Sequence, residues 1–162
     1  MRKININDIP EDSWISPKGK FGGFGKSVSI ALGRDATSTD LRLRHPFDLE
    51  ILRLALGQTP YPHHSHSAQW ELYHVISGKG TARHKDGVTE IEAGDAFVFG
   101  PDEPHQFTNN SSEDLVMLVV ADNPIGESGH YPDSKKWLVR SPERRIIYSG
   151  SPAGEDYFLG EE

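Results

Sequence analysis

The histidines of this sequence are concentrated in one short stretch that could bind a metal ion. Of eight histidines, four fall within twelve positions: His63, His64, His66 and His74. Because successive side chains of a β-strand point to opposite faces, His64 and His66 share one face while His63 points to the other. Imidazole is a common protein ligand for transition metals. We therefore expect His64 and His66 to act together, and His63 and His74 to have no part in the site.

A carboxylate and a third imidazole complete a candidate ligand set. Glu71 lies five residues after His66, an odd offset that requires a bend over residues 67–70 to bring it to the same face. His105 lies on a later stretch that could return as a strand to the same point. Three neutral imidazoles and one carboxylate suit one divalent transition metal, whether Fe, Mn, Ni, Co or Zn. On a six-coordinate ion, this set leaves about two positions open for water or substrate.

The elements that would position these residues have the pattern of strands and turns. The 16 glycines and 11 prolines separate short runs in which apolar and polar residues alternate. Strands are predicted over residues 27–32, 48–56, 71–76, 80–84, 96–99, 105–108 and 115–121. The pair Asp86-Gly87 predicts a tight hairpin turn, with positive backbone angles, before a further strand over residues 88–91. No window of ten or more residues shows a capped 3.6-residue period, so the sequence predicts an antiparallel, all-β fold.

Length and strand density predict a single domain over residues 1–162. A core of about residues 48–121 holds most of the alternation, between an N-terminal arm of residues 1–44 and a C-terminal arm of residues 122–162. The N-terminal arm contains one predicted strand, and the C-terminal arm contains the apolar pair Ile146-Ile147. Such arms often cover a sheet edge or reach a second subunit, so we expect a homodimer.

Composition and charge exclude several classes of function. The 17 basic and 24 acidic residues give a net charge of -7, which opposes the phosphate backbone, so nucleic acid is not an expected partner. The absence of cysteine excludes disulfides, thiolate zinc sites and a cysteine nucleophile, and it fits the cytoplasm. No run approaches ~18 apolar residues, and no export signal is expected. The expected partner is therefore a small-molecule ligand rather than a membrane.

Two motifs around the candidate ligands resemble the paired motifs of the cupin superfamily. The first comprises His64, His66, Glu71 and Gly78. The second comprises Gly94, Pro101, His105 and Asn109. Together they span about residues 57–109. The resemblance implies a small, single-domain double-stranded β-helix, or jelly-roll barrel, with His64, His66, Glu71 and His105 as metal ligands.

Aromatic and amide side chains that point to the same strand face as the candidate ligands could line a cavity beside the metal. Tyr73, Phe99, Phe107 and Asn109 share the ligands' face, and Trp70 lies at the bend. The same aromatic residues could instead simply fill the barrel, as side chains do in small barrels. Asn109 could likewise close the turn that follows it.

The cupin fold hosts many different activities, so the resemblance does not by itself assign a function. One interpretation is a metal-dependent enzyme in which the ion polarises an oxygen of a small polar metabolite, as in sugar-phosphate isomerisation. That reaction needs a base and a phosphate clamp, for which Tyr61, Glu103 and the arginines are candidates. A second interpretation is a non-heme iron dioxygenase that holds substrate and dioxygen at the open positions. The alternative to both is a non-catalytic cupin that binds or senses a small molecule.

Overall fold

The computed structural model describes residues 1–140 and 145–149, in which β-strands predominate. The strands are β1 (Asp12–Ile15), β2 (Gly22–Ser27), β3 (Phe47–Leu54), β4 (Ser65–His66), β5 (Glu71–Ser77), β6 (Lys79–His84), β7 (Gly87–Glu92), β8 (Ala96–Phe99), β9 (His105–Thr108), β10 (Leu115–Asp122), β11 (Ser128–Tyr131), β12 (Lys136–Arg140) and β13 (Arg145–Ser149). The helical segments are a 3-10 turn (Ile6–Asp8), α1 (Val28–Ala31) and α2 (Leu41–Arg44). The prediction of an all-β fold is confirmed.

The strands form two sheets that face each other. The first has the order β1-β2-β3-β10-β5-β8. The second combines β13-β12-β11-β4 with β7-β6-β9, and these two groups are joined by an isolated antiparallel bridge between His64 and His105. The backbone N–H of His105 donates to the carbonyl of His64 over 2.8 Å, and the reciprocal bond is 3.2 Å. This bridge places two of the candidate ligands on adjacent strands.

The core lies between the sheets and explains why the alternating runs fold as strands. Leu52 and Leu54 of β3 and Leu115 and Met117 of β10 point inward and are at most 3% exposed. From the opposite sheet, Phe107 packs into the same cluster. Burying each of these large side chains contributes roughly 1.5–3 kcal/mol to stability. A shift of one residue in strand register would turn them all to the outer face, so their burial fixes the register.

One predicted strand is wrong. Residues 27–32 do not form a strand, because β2 ends at Ser27 and α1 follows at once. The buried Ser29 hydroxyl accepts a hydrogen bond from the Leu49 backbone over 2.8 Å, and Gly33 takes a positive φ of 90° after the helical turn. The actual strand, β2, is rich in glycine, which usually weakens a strand. It pairs with β1 on one side and β3 on the other, and the Trp14 ring packs within 3.2 Å of the place where a Gly23 side chain would stand.

The hairpin between β6 and β7 is confirmed, with its turn shifted by one residue. His84 pairs with Gly87, so the loop is Lys85-Asp86 rather than Asp86-Gly87. Of the pair Asp86-Gly87, only Gly87 has a positive φ, at 136°. The two arms supply further strands to the sheets: β2 of the N-terminal arm pairs with β3, and β11 of the C-terminal arm pairs with β4. Within the described residues, no helix has the length and apolar character that a membrane span requires.

Candidate metal centre

Four polar side chains converge between the two sheets: His64, His66, Glu71 and His105. One potential ligand atom from each lies within 4.8 Å of all the others. The shortest separations involve the Glu71 carboxylate, whose Oε2 is 2.8 Å from Nε2 of His105 and 3.6 Å from Nε2 of His66. Imidazoles of both sequence motifs therefore surround one carboxylate.

Strand pairing explains this convergence. His66 is in β4. The bridge between His64 and His105 brings the first residue of β9 alongside the residue that precedes β4. The chain bends over residues 67–70 and enters β5 at Glu71, as the parity of the sequence requires. His63 points away from this group, with its Nδ1 at 3.6 Å from Asp133. His74 lies on the opposite face of β5, where its Nδ1 is 3.1 Å from the Asp95 carbonyl.

The outer nitrogens of the three imidazoles lie close to oxygen atoms, and those of His64 and His105 are hydrogen-bonded. Nδ1 of His64 lies 2.9 Å from the Pro62 carbonyl, and Nδ1 of His105 lies 3.1 Å from the Glu103 carbonyl. A carbonyl only accepts hydrogen bonds, so each Nδ1 carries the proton and each Nε2 keeps a free lone pair. Nδ1 of His66 is 3.3 Å from Oε1 of Glu127. Anchors of this kind fix the ring orientation of metal-binding histidines.

The inner atoms fit a divalent metal ion. Nε2 of His66 and of His105 are buried and have no hydrogen-bond partner, which is costly unless a cation completes them. Two atoms that each stand ~2.1 Å from a shared ion are at most ~4.2 Å apart. A pair of ligand atoms 4.8 Å apart would therefore have to approach by at least ~0.6 Å to share one ion. Imidazole and carboxylate together suit Fe, Mn, Ni, Co or Zn.

The electrostatics of the cluster keep His64 and Glu71 in the protonation states that metal binding requires. Burial, together with the neighbouring His105 and His66, lowers the pKa of His64 to about 3, so its imidazole stays neutral. Burial alone would raise the pKa of Glu71, but its close contact with His105 and the nearby imidazoles outweigh it and lower that pKa to about 2. Glu71 is therefore an anion and His64 a neutral donor over the physiological pH range.

Tyr73 holds the carboxylate from the other side. Its hydroxyl donates a 2.9 Å hydrogen bond to Oε2 of Glu71. Burial and the Glu71 charge raise the pKa of Tyr73 well above its ordinary value, so the phenol remains a donor. Behind the cluster, the Phe99 ring stacks on His105 with centroids 4.4 Å apart.

A cavity of about 810 Å³ opens beside the cluster and is lined by all four of its residues. Of the residues proposed from the sequence to line it, Tyr73 and Phe107 do so. Asn109 does not line it: this residue follows β9 and is fully buried, with its amide donating 2.7 Å hydrogen bonds to the carbonyls of Leu54 and Glu113. Trp70 does not line it either, because its ring is 53% exposed and packs against Gly100.

The cavity wall contains further charged residues that the sequence did not single out. The acidic ones are Asp48, Glu50 and Glu127, and the basic ones are Arg34, Arg44 and Lys136. Glu50 could have been predicted from the sequence, because it alternates with Leu52 and Leu54 and therefore shares their inward face of β3. Glu127 carried none, because it reaches His66 only through the pairing of β11 with β4. Of the base candidates, Tyr61 lines the cavity, whereas Glu103 caps the Gly100 N–H beside a separate surface pocket.

The two facing sheets and the enclosed cluster define a double-stranded β-helix with a candidate metal site at one end of its interior. The sequence model of the cupin domain matches residues 50–121, which include all four clustered residues. Residues 50–121 therefore match the cupin domain family.

Solved structures have the same fold at low sequence identity. A cupin-superfamily sugar phosphate isomerase from Silicibacter pomeroyi superposes with a TM-score of 0.78 at 20% identity, covering 94% of each chain. A candidate sugar phosphate isomerase from Acidithiobacillus ferrooxidans gives 0.77 at 21% identity, covering 89% of this chain and 87% of its own. A predicted oxalate decarboxylase from Thermotoga maritima gives 0.58 at 17% identity, covering 75% and 99%. No curated protein matches the sequence. These similarities show the fold.

Proposed function

We propose that the protein is a metal-dependent isomerase that acts on a small hydroxy-carbonyl compound bearing an anionic group, of the sugar-phosphate type. His64, His66, Glu71 and His105 would hold the ion. The observation that carries the proposal is that this four-residue cluster opens directly into the 810 Å³ cavity. A bound divalent ion would supply a Lewis acid that polarises a carbonyl oxygen.

The size of the cavity supports a small metabolite. Ligand sites for small molecules typically measure ~300–1,000 Å³, and the cavity lies within that range. The floor is formed by short side chains of β10, Val119 and Ala121, which leave room above the sheet. With four protein ligands, about two positions on a six-coordinate ion would face this space.

Basic residues in the wall support an anionic substrate. The Arg44 guanidinium donates to backbone carbonyls, among them Ala36 over 2.9 Å and Pro124 over 3.3 Å, and it pairs with no carboxylate among the described residues. Its positive charge is therefore available to a ligand in the cavity. Lys136 also lines the wall, with its ammonium 5.8 Å from the centroid of the Tyr131 ring. Arg34, by contrast, is neutralised by Asp48 at 2.7 Å.

The structural relatives support this choice among cupin activities. Two of them, each covering most of both chains, carry the name sugar phosphate isomerase, one of them as a candidate. At 20–21% identity they share the fold with this chain, and the cavity beside the four-residue cluster offers the same chemistry a place.

The test is to load the protein separately with Fe, Mn, Ni, Co and Zn and to incubate it with aldose and ketose phosphates of three to six carbons. NMR would detect interconversion of aldehyde and ketone. We expect turnover with at least one metal and none in His66→Ala. Dioxygen consumption by the iron form without interconversion would favour the dioxygenase interpretation instead. Saturable binding without either reaction would favour a binding or sensing protein.

A further inference from the structure

Glu50 is an acidic residue on the inward face of β3, whose other inward residues, Leu52 and Leu54, are buried in the core. It lies on β3 at an inward position two residues before Leu52, and it lines the cavity. Its carboxylate makes no hydrogen bond and no ion pair with any described residue, unlike Asp48, which binds Arg34. An unpaired carboxylate at a cavity wall is costly unless a ligand or a proton satisfies it.

The structure makes a specific space for this carboxylate. A Cβ added to Gly25, on the neighbouring strand β2, would lie 2.6 Å from Oε1 of Glu50 and 3.4 Å from Cζ3 of Trp14. Oε1 thus rests over the glycine backbone beside the indole ring. Gly25 does not have a positive φ, so its lack of a side chain serves this close approach rather than a turn.

The sheet register places Glu50 across the cavity floor from the metal cluster. Val119 of β10 pairs with Glu50 on one side and with Tyr73 on the other. Glu50 is therefore two strand spacings, about 10 Å between Cα atoms, from the tyrosine that holds Glu71. A compound of a few carbons could lie over Val119 with its oxygen at the cluster and its next carbon towards Glu50.

We propose that Glu50 is the proton-transfer group of this site, the acid–base residue that moves a hydrogen between adjacent carbons of the substrate. This inference rests on the proposed isomerase function. The Glu50 carboxylate takes the proton from the hydroxyl-bearing carbon, and the C–H electron pair becomes the carbon–carbon double bond of an enediol. The carboxyl group then returns the proton to the former carbonyl carbon. The hydroxyl proton moves to the former carbonyl oxygen, so one carbon is oxidised, its neighbour is reduced and no co-reactant is consumed.

The surroundings of Glu50 suit both halves of this cycle. Burial, followed by the charges of Asp48 and Glu71, raises the pKa of Glu50 to about 7. The titratable groups that face it are Asp48 on its own strand, with Arg34 as its partner, and Glu71 and Tyr73 on β5. Acid–base catalysis is most efficient when the pKa is near the working pH. Among the described residues, the other carboxylates of the cavity all have a hydrogen-bond partner: Asp48, Glu71 and Glu127.

The test follows carbon-bound hydrogen in D2O. The metal-loaded protein is incubated with the phosphate esters used above, and NMR measures deuterium uptake next to the carbonyl. Glu50→Gln keeps the shape of the side chain and should lower this exchange at least ~100-fold. Glu90→Gln, on the exposed face of β7, is the matched control and should exchange at the wild-type rate. A second readout needs no activity: ¹³C NMR of the glutamate carboxyl groups of the metal-free protein should show one resonance that titrates near pH 7 and is missing from Glu50→Gln.

The outcomes separate this inference from the proposed function. Metal-dependent exchange that persists in Glu50→Gln overturns the role of Glu50 and leaves the isomerase standing. Exchange that is lost in Glu50→Gln but retained in His66→Ala supports Glu50 and overturns the metal-dependent reaction. No exchange by the wild type overturns both. A Glu50 resonance that titrates near the ordinary value for glutamate overturns the inference whatever the activity.

Discussion

Acidification of the metal-free protein should cost folding free energy through His64. Its pKa is about 3 in the folded protein because the ring is buried beside two other imidazoles, whereas an exposed histidine has a pKa of ~6.5. Between pH 7 and pH 5, the unfolded chain therefore binds a proton at His64 that the folded chain does not bind. Stability rises with pH wherever the unfolded state holds more protons, so this group destabilises the fold as the pH falls.

The magnitude follows from the two pKa values. At pH 5, the unfolded histidine is almost fully protonated and the folded one is almost fully neutral, which costs about 2 kcal/mol relative to pH 7. Glu71, with a folded pKa of about 2, acts in the same direction but mainly below pH 4.5, outside this interval. The lowered pKa of His63 adds a loss of the same sign.

Urea unfolding followed by tryptophan fluorescence at pH 7 and pH 5, with a chelator present, measures this loss. His64→Asn has no group that titrates at this position, so its pH-dependent loss should be smaller than that of the wild type by about 2 kcal/mol. His63 and the remaining titratable groups contribute to both proteins and cancel in the comparison. Equal losses in the two proteins would refute the argument that burial keeps His64 neutral.

Three further outcomes are expected from the geometry. Tyr73→Phe removes the hydrogen bond to Glu71 and should lower the free energy of unfolding of the metal-free protein by ~1.5–3 kcal/mol in urea titrations; no change would contradict that bond. Gly78→Ala should destabilise the protein more than Gly57→Ala, because both have positive φ but only Gly78 would bring its Cβ against a backbone carbonyl; similar melting temperatures would contradict this. Light scattering should show a dimer, and Ile146→Lys, on the exposed part of β13, should weaken it; a monomeric wild type would refute the expectation.

Most of the candidate metal site could be predicted from the alternation of side chains along short strands. His64, His66 and Glu71 could be placed on one face because two short extended segments and one bend separate them. His105 could be added because a hairpin with a recognisable turn lies between the motifs. These are local relations, which depend on alternation and turn chemistry that the sequence displays directly.

The wrong or missing predictions concern residues whose positions depend on strand ends or on contacts between distant segments. Asn109 shares parity with His105, but β9 stops at Thr108, and beyond the strand the side chain turns into the loop. The strand predicted over residues 27–32 lies instead at Gly22–Ser27, where the glycines hide the alternating pattern and the pairing with β1 and β3 involves distant segments. Glu127 depends on a pairing between distant segments, and such pairings are not visible in one sequence.

The central claim is that His64, His66, Glu71 and His105 bind one divalent transition metal. The direct test is elemental mass spectrometry of protein purified without a histidine tag, comparing wild type, His66→Ala and the adjacent control His63→Ala. We predict near-stoichiometric metal in the wild type and in His63→Ala, and its loss in His66→Ala, because His66 directs Nε2 at the Glu71 carboxylate whereas His63 faces Asp133. Wild-type protein without metal even after reconstitution, or equal occupancy in all three proteins, would contradict the claim.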